Sequence, residues 1–452
     1  MEGSNIIMKL IKNIKIVFKD SISEGAVLFS EFIEDIILGN TDKVHTNGDL
    51  LISEITKKNE ENNKLQGSSE ELEIINGEGA YLVPGFIDIH IHGSAGFDTM
   101  DSSREALDGI SKSLISSGVT SFLPTTMTMP RNDVGSALRN IRDFMISNDK
   151  EYAGARVLGC HLEGPFLNQE FKGAQSSTDI IGPDIDLIKE YLDIIKIVTI
   201  APEIEGAESF IRFLLEANNE KDAEVHAEKN IDVTEKKNND VNKKKNIDVN
   251  VVKNIVVSAG HSGATYQEIL NARDWGLTHV THLFNAMCKF HHREPGIIGA
   301  VMTTDLSCEL IVDFIHVHPA AIQMVLQAKD TDQIILVTDQ MRAGLLGDGE
   351  YDLGGQKVIV NEGSARLENG QLAGSILTLD QAVRNVKSIT DEVLDIPLYK
   401  IINMVTYNPA KRLGMENEIG HIEKGKRADF VLLNEELEVK AVYRDGNIIL
   451  RE

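Results

Sequence analysis

Cysteine is scarce in this sequence: Cys160, Cys288 and Cys308 are the whole complement of 452 residues, an odd number with no CxxC spacing. That scarcity excludes a disulfide framework and a thiolate zinc cluster, and it fits a reducing compartment. If the chain binds a metal, imidazoles and carboxylates must hold it. Positive charge is short as well, with 45 Lys and Arg against 70 Asp and Glu for a formal charge of -25, which argues against a nucleic-acid-binding surface. A local basic pocket for an anionic small molecule is still compatible with that balance. No apolar run reaches the ~20 residues of a membrane span, and the opening MEGSNIIMKLIKNIKIVFKD carries lysines through its apolar positions where a signal peptide would have an uninterrupted core. The expectation is a cytoplasmic protein with no membrane or nucleic-acid partner.

Apolar residues, by contrast, make up 42% of a chain longer than one simple core usually allows, so a large domain and a smaller one are expected. Residues 40–72 and 217–254 are too polar to offset the entropy of ordering and read as mobile surface insertions. The near-duplicate KNIDV at 229–233 and 245–249 is too short and isolated for a solenoid, and His45 and His226, inside these segments, are set aside as ligands. Elsewhere, apolar runs such as ARVLGCHLEG, NIVVSAGHSG and DQIILVTDQ alternate with amphipathic stretches such as DIDLIKEYLDIIK, YQEILNARDWG and LTLDQAVRNVKSI. This repeated strand-helix alternation predicts an α/β fold, a (β/α)8 TIM barrel over residues 83–416. Residues 1–82 and 417–452 have strand-turn-strand texture with DG and KG turns, which predicts a small β domain built from both ends.

Within GFIDIHIHGSAGFD, residues 85–98, Asp88, His90 and His92 fall on one face of a strand while Ile87, Ile89 and Ile91 fall on the other. The isoleucines would pack on helices, leaving the imidazoles inside the barrel near the strand's C-terminal end, where barrel active sites sit. Two readings stand on this stretch alone: a divalent cation that satisfies both rings, or two hydrogen-bonded interior histidines. Glu163 after VLGCHL, His261 after NIVVSAG and His282 in HVTHLFNAM end three further strands. Singly, each has a structural alternative as a helix cap, a turn cap or a satisfied core residue. Together, four strand ends converging on one barrel mouth favour a metal. Asp339, at the end of DQIILVTDQ, is placed either to accept a proton from metal-bound water or to cap the following segment.

In order and spacing, PGFIDIHIHG, HLEGPFLN, SAGHSGAT, THLFNAM, HHREPG, DFIHVHP, VTDQMRA with GEYDLGG, and LAGSILTLD resemble the N-acetylglucosamine-6-phosphate deacetylases of the amidohydrolase superfamily over about residues 80–415, and GKRADFVLLN is similar to the family's closing segment. The HxH pair marks only the superfamily, whereas HLEGP with THLFNAM and HHREPG is specific. The resemblance implies a distorted (β/α)8 barrel with a small β-sandwich domain made from both termini, and a homodimer. It also implies hydrolysis of N-acetyl-D-glucosamine 6-phosphate to D-glucosamine 6-phosphate and acetate, in amino-sugar catabolism and recycling. By the same resemblance Glu163, His261 and His282 are the main metal ligands and Asp339 the acid/base. A divalent cation acidifies bound water, the resulting hydroxide attacks the acetamide carbonyl, and Asp339 takes the proton and passes it to the departing amine. Zinc, iron, manganese and cobalt suit such ligands equally. Because His90 and His92 are both present, one or two ions per subunit are implied, with Glu163 bridging, Asp339 near the second ion and Asp88 in support.

The substrate contacts implied are Ala174, Gln175, Asn285, Ala286, Arg293, His316, Leu372, Ala373 and Gly374. Arg293 is the phosphate partner, because a guanidinium presents paired donors, and it reaches across from the neighbouring subunit. Its alternative is a surface ion pair with Glu294. Two positions depart from the family pattern. Gln175 stands where many relatives have a histidine, so it can donate a hydrogen bond but cannot carry a proton. Gln340 stands where alanine commonly follows the aspartate, with no role that the sequence assigns. Two other functions share parts of this pattern: a cyclic-amide hydrolase of the dihydroorotase kind, which bridges two metals with a modified lysine where this chain has Glu163, and a non-catalytic sugar-phosphate-binding scaffold, which would be expected to have lost ligands that are all present here.

Overall fold

In the computed structural model, which describes residues 7–39, 71–147, 153–228 and 254–451, the apolar runs become eight short parallel strands. These are β1 (Phe86–Ile91), β2 (Val119–Pro124), β3 (Cys160–Glu163), β4 (Ile195–Ile200), β5 (Val256–Ala259), β6 (Leu277–Val280), β7 (Ser307–Leu310) and β8 (Ile334–Leu336). Nearly every residue in them is buried, as expected of parallel strands covered on both faces. Strands β3 to β8 pair in sequence order, and β1 pairs with β2. Single bridges close the ring, Thr125 with His161 and Ile91 with Gln340, helped by Asp339 N–H donating to the His90 carbonyl at 2.9 Å. The β1–β2 register breaks between Asp88 and Ile91, where the Ile91 N–H turns to the Thr125 hydroxyl at 2.9 Å. The predicted distorted barrel is therefore present, and one of its register breaks lies in β1, the strand that carries His90 and leads to His92.

Helix boundaries follow from capping. Thr265 and Glu268 form a capping box at the start of Tyr266–Trp275, Ser103 caps Arg104–Leu114, and the amphipathic LTLDQAVRNVKSI lies in Leu379–Val393. The DIDLIKEYLDIIK stretch departs from expectation: only Ile185–Ile188 is α-helical, a single 3-10 turn follows, and its last residues already belong to β4. Pairing of Cys160 with Ile195 at the foot of β3 takes those residues into the sheet.

Strands Ile7–Val17, Ile22–Phe29, Ile33–Leu38, Glu71–Asn76 and Tyr81–Pro84 join Phe430–Leu433, Val439–Arg444 and Asn447–Arg451 in one terminal sheet. Tyr81–Pro84 pairs antiparallel with Phe430–Leu433 and so joins the two ends of the chain. The sheet folds over on itself as a small sandwich, with Phe29 packing edge-on against Phe430 at 5.3 Å and Tyr443 at 5.7 Å. Asp445 and Gly446, both with positive φ (49° and 70°), make the DG turn of its last hairpin. Arg156, in a short strand beside β2, reaches this sheet through Asp429 (2.8 Å) and Asp445 (2.6 Å).

Residues 40–70 and 229–253, most of the two predicted insertions, lie outside the described residues, as does His45. The reading of 40–72 and 217–254 as loops throughout is corrected at their edges: Glu71–Asn76 is a strand, and helix Ala207–Glu228 continues through residues 217–228. The helix is tied down there by Asn218, whose side chain exchanges hydrogen bonds with the backbone of Ile255. One unit was not anticipated. After β8 the chain makes an antiparallel meander, β9 (Gly349–Leu353), β10 (Gln356–Asn361) and β11 (Ser364–Leu367), whose inward Leu353, Val358, Val360, Ala365 and Leu367 form a separate apolar cluster with Met127 and Met341.

Candidate active site

Five strand ends deliver polar groups to the same point. Glu163 is the last residue of β3, His261 and His282 follow β5 and β6 by two residues, Asp339 follows β8 by three, and His90 and His92 come from β1 and its exit. The backbone is left-handed at His261 (φ 48°), His282 (φ 31°) and Asp339 (φ 48°), a conformation that costs side-chain-bearing residues about 1–3 kcal/mol each. Local hydrogen bonds offset part of that cost: His282 N–H donates to Glu309 Oε2 at 3.0 Å and Asp339 N–H to the His90 carbonyl.

The side chains converge closely. His261 Nε2 and His282 Nε2 lie 3.1 and 3.0 Å from Glu163 Oε1, and 3.1 Å from each other. His92 Nε2 lies 3.3 Å from both Glu163 Oε2 and Asp339 Oδ1, and His90 Nε2 lies 3.6 Å from Glu163 Oε1 and Asp339 Oδ1. Glu163 thus stands between two donor groups, one with His261 and His282, the other formed by His90, His92 and Asp339. Two donors bound at ~2.1 Å to one tetrahedral ion lie roughly 3.4 Å apart, close to these separations. His90 Nε2 has no hydrogen-bond partner although the ring is buried, and an orphaned ring nitrogen beside the carboxylates of Glu163 and Asp339 suits a cation. Charge points the same way. Burial alone would raise the Glu163 carboxyl, but His90 and then His261 and His282 hold it well below the usual carboxylate range. Burial opposes charge on His92, yet Asp339 and Glu163 lift it to about 9. The pocket calls for positive charge, and a divalent cation meets that need with the imidazoles neutral. The donor set therefore fits such an ion.

Behind this centre lies a layer that sequence reasoning missed. Glu309, fully buried in the middle of β7, holds His90 Nδ1 at 2.8 Å while also accepting the His282 N–H, and its other oxygen is 3.4 Å from His279 Nε2. A single carboxylate in the four-residue strand SCEL gives the sequence no periodic signal. His161 also touches this group, but both its nitrogens are engaged, by the Ile89 carbonyl at 3.0 Å and the Thr199 hydroxyl at 2.7 Å, and burial lowers its pKa to about 3. Asp88 accepts from the Thr338 hydroxyl at 2.6 Å and the His90 N–H at 3.2 Å, buttressing the ends of β1 and β8 without joining either donor group.

A cavity of about 380 Å³ opens onto the centre. Of the sequence-predicted contacts, Ala174, Gln175, Asn285, Ala286, His316, Leu372 and Gly374 line it together with Glu163, His92, His261, His282 and Asp339. Ala373 is buried behind the wall, and Arg293 is exposed away from it, its Nη1 2.9 Å from His292 Nε2. Glu294 does not pair with Arg293; its Oε1 accepts from the Tyr266 N–H at 3.2 Å. The two departures now have positions. Gln175 donates to Glu163 Oε2 and accepts from the Thr128 N–H, both at 2.7 Å, so its amide steadies the carboxylate between the donor groups. Gln340 closes the barrel, its carbonyl accepting from His92 and Gly93 and its side chain donating to the Leu377 carbonyl. Lining residues that sequence reasoning missed include Met127, Leu353, Arg366 and Gln371.

Residues 81–449 match the Amidohydrolase family, a class of hydrolases generally dependent on divalent metals, and the chain belongs to it. Within that class its named relatives are deacetylases of N-acetylhexosamine 6-phosphates, among them an N-acetylgalactosamine-6-phosphate deacetylase of Escherichia coli O157:H7 at 33% identity, covering 81% of this chain and 87% of that one. The chain is 40% identical to an N-acetylglucosamine-6-phosphate deacetylase of Lysinibacillus sphaericus over 380 residues, covering 83% of this chain and 87% of the relative. It is 38% identical to the Bacillus subtilis enzyme of the same name over 372 residues, covering 81% and 84% of the two chains. The crystal structure of N-acetylglucosamine-6-phosphate deacetylase from Thermotoga maritima superposes with a TM-score of 0.76 at 30% identity, covering 98% of this chain and all of that one.

Proposed function

We propose that this chain hydrolyses the acetamide of N-acetyl-D-glucosamine 6-phosphate, giving D-glucosamine 6-phosphate and acetate in the cytoplasmic catabolism and recycling of amino sugars. The observation that carries this reading is the meeting of Asp339 with Glu163, His261 and His282 at the wall of one cavity, in a chain whose relatives bear that name. Glu163, His261 and His282 would hold a divalent ion, whether zinc, iron, manganese or cobalt, and His90 with His92 would hold a second against the shared Glu163. Such an ion would lower the pKa of water toward neutrality and polarise the acetyl carbonyl.

The chain's own groups do the rest. Burial would raise the Asp339 carboxyl, but His90 and His92 hold it below its ordinary value, so it is ionised and ready to accept a proton from the attacking water. It then returns that proton to the departing nitrogen, which leaves as an amine. Ala174, Gln175, Asn285, Ala286, His316 and the Leu372–Ala373–Gly374 backbone enclose the sugar, and Arg293 of a neighbouring subunit in a homodimer meets the phosphate. In this reading the barrel, residues 83–416, performs the chemistry and the terminal domain, residues 1–82 with 417–452, braces it. A glutamate at the end of β3, where a cyclic-amide hydrolase of the dihydroorotase kind has a modified lysine, favours the deacetylase.

The experiment is acetate release from N-acetyl-D-glucosamine 6-phosphate, with the galactosamine and mannosamine analogues in parallel. Metal-loaded protein should turn over, chelated protein should not, and Asp339→Asn should lower kcat by about 10²- to 10⁴-fold. Equal rates for Asp339→Asn and wild type would sink the reading.

A further inference from the structure

The cavity is poor in cations. Among the described residues that line it, Arg366 is the one lysine or arginine, set against the carboxylates of Glu163 and Asp339. It stands on β11, bridged to Leu372, and its guanidinium makes a single hydrogen bond, Nη1 to the Gly370 carbonyl at 2.8 Å. No carboxylate pairs with it among the described residues, so Nη2 and Nε are left for a ligand. The neighbouring Arg342, by contrast, is committed to the Asp352 carbonyl and to Asp101. Across the molecule an anionic group meets a formal charge of -25, so a fixed cation in the cavity wall is needed to draw it in. Arg366, on the meander side, is the one permanently charged cation that the described lining offers it.

We infer that Arg366 is the phosphate-binding group supplied by the same chain that supplies the metal centre, and that it selects phosphorylated over neutral N-acetyl sugars. This rests on the deacetylase reading and adds a cation in cis to the Arg293 proposed in trans. A guanidinium is suited to the task because it offers a fork of donors to phosphate oxygens and never loses its charge. Its exposure means that replacing it should leave folding intact.

The test compares wild type with Arg366→Met and Arg366→Lys. For Arg366→Met, KM for N-acetyl-D-glucosamine 6-phosphate should rise about tenfold to a hundredfold with kcat little changed, as expected for loss of a charge-assisted hydrogen bond. The kcat/KM for unphosphorylated N-acetyl-D-glucosamine should stay the same, and Arg366→Lys should recover part of the loss. Calorimetric binding of D-glucose 6-phosphate, which has the phosphate but no acetamide, should weaken by a similar factor. An unchanged KM and unchanged binding, or equal losses on both N-acetyl sugars, would overturn the inference. Wild-type protein that releases no acetate yet binds D-glucose 6-phosphate more tightly than Arg366→Met would overturn the deacetylase reading and uphold the anion site.

Discussion

Glu309 shows how much of the centre's geometry depends on one residue that need not touch substrate. Its carboxylate fixes the His90 ring through Nδ1, turning Nε2 toward Glu163 and Asp339, and the same oxygen holds the left-handed backbone at His282. Partners behind metal-binding histidines typically contribute 10- to 100-fold in metal affinity. Glu309→Gln keeps an acceptor but loses the charge, so metal affinity measured by chelator competition should fall by about that factor. His90→Asn should instead remove one ion's worth of metal per subunit, and adding Glu309→Gln to it should further weaken the ion that remains, through the His282 backbone that Glu309 also holds. A double variant that binds its remaining ion as tightly as His90→Asn does would show that Glu309 acts through His90 alone. The histidines themselves were legible, because strict alternation in DIHIH puts polar groups on one face of an otherwise apolar strand. Glu309 and Arg366 were not. A single carboxylate in a four-residue strand has no period to betray it, and an arginine in a strand-turn segment looks like any solvent-facing charge.

At the scale of elements, the barrel was legible and the meander was not read, although its Val358, Val360, Ala365 and Leu367 alternate inward. Polar residues crowd its turns, so the segment looks like loop until its sheet is seen to pack on Met127 and Met341. Arg342 fastens this element to the mouth: Nε donates to the Asp352 carbonyl at 3.0 Å, and Nη2 lies 2.9 Å from Asp101 and 3.8 Å from the buried Asp98. Arg342→Ala should speed amide exchange across residues 349–367 and raise KM, with destabilisation of about 1–3 kcal/mol from the charge left unpaired. The pH dependence has a definite sign. Burial raises the Asp98 carboxyl from 3.8 to about 6, with the Met100 N–H and Arg342 pulling it down. A carboxyl whose folded pKa lies above its unfolded one costs stability as pH rises through that window, and losing Arg342 enlarges that cost. The gap between variant and wild type, read by denaturant unfolding, should therefore widen from pH 4 to above pH 6. A gap that narrows would remove Asp98 from the account.

The whole molecule is held together in part by Arg156, a barrel residue whose guanidinium meets Asp429 and Asp445 of the terminal sheet, with Arg427 also on Asp445 at 2.8 Å. Arg156→Met should cost about 2–3 kcal/mol, less than a fully buried pair because Arg156 is partly exposed. Burial would raise the Asp445 carboxyl, but Arg156 and Arg427 depress it below its ordinary 3.8. A depressed carboxyl gives stability that is present above its unfolded pKa and lost as pH falls through the folded one. The variant has less of that stability to lose, so its denaturant midpoint should fall less between pH 7 and pH 3 than the wild-type midpoint does. Equal slopes would mean that Arg156 contributes packing alone. The pairing of Tyr81–Pro84 with Phe430–Leu433 has a consequence for synthesis. Tyr81–Pro84, which runs through Gly85 directly into β1, leaves the ribosome early and finds Ile7–Val17 at once, but its other neighbour, Phe430–Leu433, arrives only after all of the barrel has been made. Such a long-range pairing closes late. Translation that stops short of residue 430 leaves one edge of Tyr81–Pro84 open, and an unpaired strand edge marks the unfinished chain for chaperones and proteases.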